Sequence, residues 1–264
     1  MQDIKARSDQ WSPETYIAEA IVQKYQNGMS ARQLGFEYGV ADVTITGFLK
    51  RRGVFIRNRG NARRTNQIRE NIFDTITEES AYWIGFLLAD GNIYHPPKRS
   101  KQLNIGLAAK DWEHLEKFKK FVCSDKPLYY NKNGVFLSIY SNRIVEKLAE
   151  YGIVPRKSKT AKVPESLNNN RHFWRGMVDG DGWVSRRRNN NRPLIGLCGT
   201  PDVIEKFQNF LQATWYNYRP HAINSKSDYC CEISVCGKWA VKIIRLLYTD
   251  CSIALDRKRS VVGV

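Results

Sequence analysis

The chain has 264 residues, room for one large domain or two to three smaller ones. Lys and Arg (42) outnumber Asp and Glu (26), leaving a formal net charge of +16 and a pI near 9.6; this selects a polyanionic partner, nucleic acid ahead of an anionic membrane surface. No apolar run approaches the ~20 residues of a spanning helix, Met1-Gln2-Asp3-Ile4-Lys5 does not read as a secretion signal, and the six cysteines (123, 198, 230, 231, 236, 251) contain no C-x-x-C pair, so a membrane span, a secreted protein and a zinc cluster are not expected. Reduced, mostly buried thiols in a cytoplasmic (bacterial or phage-encoded) or organellar protein are the expectation.

Residues 12–53 predict a small helical unit. Ile17, Ala20, Ile21 and Tyr25 keep helical spacing, and Asn27-Gly28 stops that helix. Ser30 is a candidate N-cap for a second helix, Ala31 to Tyr38. After the Gly39-Val40 turn, Asp42 is the candidate cap of a third, Val43 to Arg52. Helix, glycine-containing turn, helix is a helix-turn-helix arrangement, and it resembles the DNA-binding modules of resolvases and phage proteins. Its last helix would offer Thr44, Thr46, Lys50, Arg51 and Arg52 to a groove; a plain three-helix packing unit is the alternative. Residues 57–76 read as a basic linker in which Arg57, Arg59, Arg63 and Arg64 either follow a phosphate backbone or form a solvated loop.

From Thr77 onward the pattern runs twice. The first half predicts a helix over Glu78–Asp90, strands over 91–99 and 101–109, and a helix over 111–122. Strands 126–132 and 135–140 follow, flanking an Asn133-Gly134 turn, and a helix over 141–151 closes the half. The second predicts a helix over 171–181, strands over 182–189 and 192–199, a helix over 201–212, strands over 214–223 and 228–236, and a helix over 238–248. Ile105-Gly106-Leu107 repeats as Ile195-Gly196-Leu197, and Glu116-Lys117-Phe118 as Glu205-Lys206-Phe207. The expected organisation is therefore 1–56 helix-turn-helix, 57–76 linker, 77–163 first repeat and 164–264 second repeat, an α+β architecture.

The opening helix of each half carries one motif: Trp83-Ile84-Gly85-Phe86-Leu87-Leu88-Ala89-Asp90-Gly91 and Trp174-Arg175-Gly176-Met177-Val178-Asp179-Gly180-Asp181-Gly182. Small residues four apart (Gly85 with Ala89, Gly176 with Gly180) share one helix face and admit a close neighbour. Each helix would end in a carboxylate, with Gly91 or Gly182 placed for a left-handed stop. A carboxylate in the last turn opposes the helix dipole by roughly 0.3–1 kcal/mol, and two side by side repel each other. A divalent cation between them resolves both conflicts.

These motif copies, 91 residues apart and each followed by the same elements, resemble the LAGLIDADG homing endonucleases in their single-chain form. The resemblance covers residues 77–264. It implies two tandem αββαββα repeats related by a pseudo-twofold axis, with the motif helices packed along that axis and each sheet laid in the major groove of double-stranded DNA. It further implies a monomer that binds a long target and hydrolyses phosphodiester bonds on both strands with Mg²⁺ or another divalent cation such as Mn²⁺. Asp90 and Asp181, with the carbonyls of Ala89 and Gly180, match the metal positions; Lys157 and Lys258 fall where the family carries a basic catalytic residue. Ala109-Lys110 and Gly199-Thr200 occupy the region of a polar water-positioning residue, and neither supplies an evident one. Leu88 replaces the first motif Asp, which Asp179 retains at a position that does not bind metal. Arg175 replaces a small residue, its stem expected to pack while its head reaches water or phosphate. Trp83 and Trp174 are expected in the core.

Lys98, Arg99 and Lys101 form a basic cluster, and Arg186, Arg187 and Arg188 form another at the matching place, beginning the first strand of the second half; paired clusters favour phosphate contact or base readout over solvated hairpin tips. Tyr129, Tyr130, Trp215, Tyr216 and Tyr218 read as sheet and core. The alternatives to the nuclease reading are a catalytically silent DNA-binding regulator and an intron-splicing maturase of the same fold.

Overall fold

The computed structural model describes residues 11–26, 29–56 and 68–262. The Asn27-Gly28 stop and the arginines Arg57, Arg59, Arg63 and Arg64 lie outside the described residues. The chain divides into two compact units, Met1–Thr65 and Asn66–Val264.

The smaller unit holds three helices, α1 (Thr15–Gln26), α2 (Ala31–Glu37) and α3 (Asp42–Arg51). Ser30 caps α2 in a reciprocal capping box with Gln33, satisfying two otherwise unpaired backbone donors. Asp42 does not cap α3. Ala41 is the N-cap and makes no side-chain bond, while Asp42 is the first helical residue, where its charge suits the positive helix end. Ala18, Ile21, Tyr25, Leu34, Ile45, Phe48 and Leu49 form this unit's own core.

The larger unit is α+β and duplicated. The first half runs α4 (Glu78–Asp90), β1 (Asn92–Tyr94), β2 (Gln102–Leu107), α5 (Trp112–Phe121), β3 (Tyr129–Asn131), β4 (Gly134–Tyr140) and α6 (Asn142–Glu150). The second runs α7 (Arg171–Asp181), β5 (Gly182–Arg186), β6 (Pro193–Gly199), α8 (Pro201–Thr214), β7 (Asn224–Ser227), β8 (Cys230–Cys236) and α9 (Lys238–Tyr248), followed by the short α10 (Asp256–Arg259). Each half builds one antiparallel four-stranded sheet in the same order, β1-β2-β4-β3 and β5-β6-β8-β7. Alternation sends Leu103, Ile105, Val135, Leu137 and Ile139 inward from the first sheet, and Ile195, Leu197, Ile233 and Val235 from the second. These residues join the helix faces in one continuous core spanning both halves. Trp83 and Trp174 are fully buried, edge-on to Phe118 at 4.8 Å and tilted on Phe207 at 5.1 Å.

Several strands are shorter than their sequence pattern. β1 stops at Tyr94 ahead of Pro96-Pro97, and β3 starts after Pro127, because proline has no N–H for the ladder. The second hairpin turns at Lys132-Asn133, one residue early, and Gly134 already pairs with Asn131. There φ is +142°, and a β-carbon would lie 2.1 Å from the Leu107 carbonyl oxygen. The strand predicted over 214–223 does not form. Helix α8 runs to Thr214, the chain turns with Tyr218 N–H donating to Trp215 O, and the strand begins only at Asn224. Trp215 and Tyr218 gave that segment a strand-like composition, but their rings both pack on Trp239 (centroids 5.6 and 5.2 Å), anchoring a loop. Tyr216 is fully exposed, not core; Tyr129 and Tyr130 lie in β3 but are also exposed. Only Cys231 and Cys251 of the six free thiols are buried.

Capping sets where the motif helices start. Thr77 and Ser80 form a capping box for α4, and the Asn170 side chain accepts from the His172 and Phe173 amides to start α7. The two helices run parallel in contact, since Tyr82 faces Gly176, Gly85 faces Phe173 and Met177, and Ala89 faces Gly180. A β-carbon on Gly85 would stand 2.1 Å from the Phe173 carbonyl oxygen, and one on Gly176 2.0 Å from that of Tyr82. Gly176→Ala is therefore expected to force the helices apart, at a cost of at least about 2 kcal/mol in urea unfolding; unchanged stability would show that the contact is not needed.

Candidate active site

Parallel packing places both helix C-termini, and so both terminal carboxylates, at one end of the pair. A β-carbon at Gly180 would lie 2.4 Å from the Ala89 β-carbon and 3.5 Å from Asp90 Oδ2. Asp90 and Asp181 are exposed residues, yet the protein packed around them displaces much of their water. Desolvation raises the Asp90 pKa to about 6, with the Asp181 charge adding to the rise and Lys258, Lys157 and Arg257 opposing it. Desolvation also raises that of Asp181, against Lys157 and Lys258.

The glycines after these carboxylates are not left-handed stops. Gly91 has φ −71° and Gly182 φ −106°, both extended. Their role is space: a β-carbon would lie 2.6 Å from Leu87 O at Gly91, and 2.6 and 2.7 Å from Gly196 O and Val178 O at Gly182. The chain thus leaves each helix directly into the first strand of its sheet, against the last helical turn.

Lys157 and Lys258 are both buried beside the carboxylates. Lys157 donates to the Ala89 carbonyl, an oxygen expected at the metal, at 3.1 Å; a carbonyl oxygen has two lone pairs, so this bond leaves one for a cation. Lys258 donates to three carbonyls, Val178 at 2.7 Å, Asp179 at 2.8 Å and Gly182 at 2.7 Å, leaving that of Gly180. Burial lowers the Lys258 pKa to about 8 and lowers that of Lys157 too, with both carboxylates resisting the change at Lys157.

Hard-cation chemistry fits this donor set. Among the described residues no three His, Cys, Asp or Glu side chains converge. The end of the helix pair offers two carboxylates, each raised by desolvation, and the carbonyls of Ala89 and Gly180. Mg²⁺ uses one or two carboxylates and keeps several waters.

Two residues behave differently from their sequence reading. Arg175 does not reach water or phosphate. It is fully buried, donates to Ile253 O, Leu247 O and Glu78 Oε1 (2.8, 3.0 and 2.9 Å), and lies 5.3 Å from the Tyr82 ring centre. Asp179 is equally buried and accepts from Tyr82 Oη, Tyr248 Oη and Leu255 N, each at 2.7 Å. Because Tyr82 donates to Asp179, His114 Nε2 must donate to Tyr82 Oη at 2.8 Å, which fixes the imidazole tautomer; burial drops its pKa to about 3. Tyr82, Tyr248 and Leu255 carry no motif, and only the pairing of a buried acid with distant donors reveals them.

The remaining candidates are spread over other surfaces. Both basic clusters sit at the turn after the first strand of their half. Lys98 and Arg99 are exposed, but Lys101 is ion-paired with Glu146 at 2.7 Å. Arg186 ends β5 instead of beginning it, and Arg187 and Arg188 enter the following turn, exposed. On α3, Lys50 is exposed and Thr44 half-buried, Thr46 Oγ1 donates to Asp42 O, Arg51 donates to Trp11 O, and Arg52 lies 5.6 Å from the Phe48 ring centre. Thr200, near the unassigned water-positioning region, is the buried N-cap of α8 and donates to Ala161 O. The outward face of the first sheet carries Asn92, Gln102, Asn104 and Ser138, with Ser138 Oγ donating to Asn104 Oδ1.

Desolvation of Asp90, with the Asp181 charge adding to it, makes stability pH-dependent. An Asp whose folded pKa is about 6, against an ordinary 3.8, binds its proton more tightly when folded. The metal-free protein is therefore expected to lose stability as pH rises from about 4 to about 6. Asp90→Asn should flatten that slope and raise the urea midpoint near neutral pH; an unchanged slope would show that the Asp90 carboxyl is not raised in the folded state.

No protein-family profile matches the sequence, and no curated protein matches it. Solved structures do. The LAGLIDADG meganuclease I-AabMI bound to uncleaved DNA is 14% identical with a TM-score of 0.47, over 70% of this chain and 88% of that one. The I-LtrWI LAGLIDADG homing endonuclease bound to target DNA is 12% identical with a TM-score of 0.44, over 70% and 85%. I-SmaMI bound to an uncleaved DNA target in the presence of calcium ions is 14% identical with a TM-score of 0.43, over 68% and 86%. The duplicated αββαββα unit described above is thus similar to solved LAGLIDADG homing endonucleases.

Proposed function

We propose that this protein is a site-specific homing endonuclease that binds a long double-stranded DNA target as a monomer and hydrolyses a phosphodiester bond on each strand with Mg²⁺ or Mn²⁺. The observation that carries this reading is the meeting of Asp90 and Asp181 at the ends of two parallel helices in contact, flanked by the buried Lys157 and Lys258. A net charge of +16 suits a polyanion that approaches this acidic pair. The amides and hydroxyls on the outward face of the first sheet suit the donor and acceptor pattern of the major groove.

Divalent metal bound by Asp90 and Asp181 with the carbonyls of Ala89 and Gly180 would activate water and stabilise the leaving oxygen. Asp90 and Asp181 hold their charges together at the scissile position. Lys157 commits one donor to Ala89 O and keeps two N–H groups for charge developing on a phosphate oxygen. Lys98, Arg99, Arg187 and Arg188 contact phosphates, and the helix-turn-helix unit extends the target contact through α3.

Incubation with a random duplex pool and Mg²⁺ is expected to release double-strand breaks at one sequence. Asp90→Asn and Asp181→Asn should each lose cutting by at least about 100-fold while retaining DNA binding in Ca²⁺. Wild type that binds tightly and cuts nothing, or Asp181→Asn that cuts at full rate, would overturn the assignment.

Lys50→Ala on α3 is expected to weaken binding similarly across sequences and reduce the salt slope by about one. An unchanged slope in a salt titration would remove α3 from the DNA contact.

A further inference from the structure

We infer that the two lysines at the helix ends have different tasks: Lys258 is a positioning residue that clasps the chain on either side of Asp181, and Lys157 alone acts on the phosphate. This rests on the nuclease reading for its catalytic half, while the clasp itself does not. A lysine ammonium has three donors and no acceptor. All three of Lys258 are engaged, on Val178 O and Asp179 O in the last turn of α7 and on Gly182 O at the start of β5. Asp181 is the last residue of the helix and lies between those carbonyls in sequence. A cation there also supplies donors to carbonyls at the helix end and suits the negative pole of the helix.

A second set of bonds registers Lys258 on α7. The Asp179 carboxylate accepts the Leu255 amide, three residues before Lys258, and is itself held by Tyr82 and Tyr248. Asp179 therefore grips the terminal segment with its side chain and is gripped back through its carbonyl. Arg175, one turn earlier on α7, holds the same segment at Ile253 O. Among the described residues the first half has no such clasp. Leu88 replaces Asp179 and is buried, and Lys157 bonds one carbonyl only. The sequences Pro155-Arg156-Lys157-Ser158 and Asp256-Arg257-Lys258-Arg259 look equivalent, but the donors of their lysines are differently occupied.

The test compares Lys258→Met with Lys157→Met. Metal-free Lys258→Met is expected to melt at least about 4 °C lower, and its Mn²⁺ half-saturation, read by electron paramagnetic resonance, to rise at least about tenfold. Its single-turnover cutting should fall at low Mn²⁺ and recover at least about tenfold as Mn²⁺ is raised to saturation, as expected of a residue that acts through the metal site. Lys157→Met should keep the melting temperature and the Mn²⁺ affinity and lose at least about 100-fold in single-turnover rate. A Lys258→Met protein with wild-type melting and Mn²⁺ binding but a collapsed rate would overturn the division. Should Lys258→Met not fold, the ¹⁵Nζ ammonium signal of Lys258 in the wild type decides: slow hydrogen exchange supports the clasp, and exchange as fast as that of surface lysines refutes it. If the wild type cuts no DNA, the melting, Mn²⁺ and exchange readouts still test the clasp, and the nuclease reading fails by itself.

Discussion

Direct backbone contact between α4 and α7 is the constraint on which the larger unit depends. Gly85 and Gly176 each face a carbonyl of the other helix at a distance no side chain permits. At that separation the helices cannot be staggered freely, so their C-terminal ends meet. Two helix dipoles then point their negative poles at one place, and each adds a carboxylate. The local charge conflict is a product of the packing, and the neighbouring residues answer it. Lys157 and Lys258 are buried there against their own desolvation, held by the carboxylates and by carbonyls of the last helical turns.

The rest of the helix pair carries an unusual amount of buried polarity. Arg175 and Asp179 sit on one apolar helix, and both reach across to hold the segment after α9. Such groups add little net stability compared with apolar replacements, whereas removing one partner of a buried pair costs about 3–5 kcal/mol. Their effect is on register. Glu78 from α4 accepts from both Arg175 and the Ser252 amide, so the first half, the second motif helix and the terminal segment share one network. Lys117 and Asp111 of the first half hold Asp256 and Arg257 in the same way at the surface.

Much of the larger unit is legible in the sequence because duplication states each element twice. The motif helices and the strand-strand-helix order follow from periodicity, and in the structure Thr77, Asn170, Ser141 and Thr200 cap the helix starts. Local signals failed where a distant partner decided the outcome. The segment 214–223 is aromatic like a strand, but Trp239 recruits its rings into a loop. Gly91 and Gly182 look like helix stops, but their backbone is extended and their small size serves the approach of the first strand. Arg175 looks like a surface cation because, apart from His172 one turn earlier, its acceptors Glu78, Leu247 and Ile253 are far away in sequence.

Residue type and spacing by themselves determined that this chain has two motif helices, each lined with small residues and closed by Asp-Gly, and two αββαββα repeats around them. Those are properties of the local chain, set by periodicity, capping and side-chain volume. Only the tertiary structure decided that the helices run parallel, that Asp90 and Asp181 share one end, and that Lys157 and Lys258 bond differently despite matching sequences. The physical reason is that a charge is assigned its role by the dipoles and carbonyls around it, and those come from segments far away in the chain.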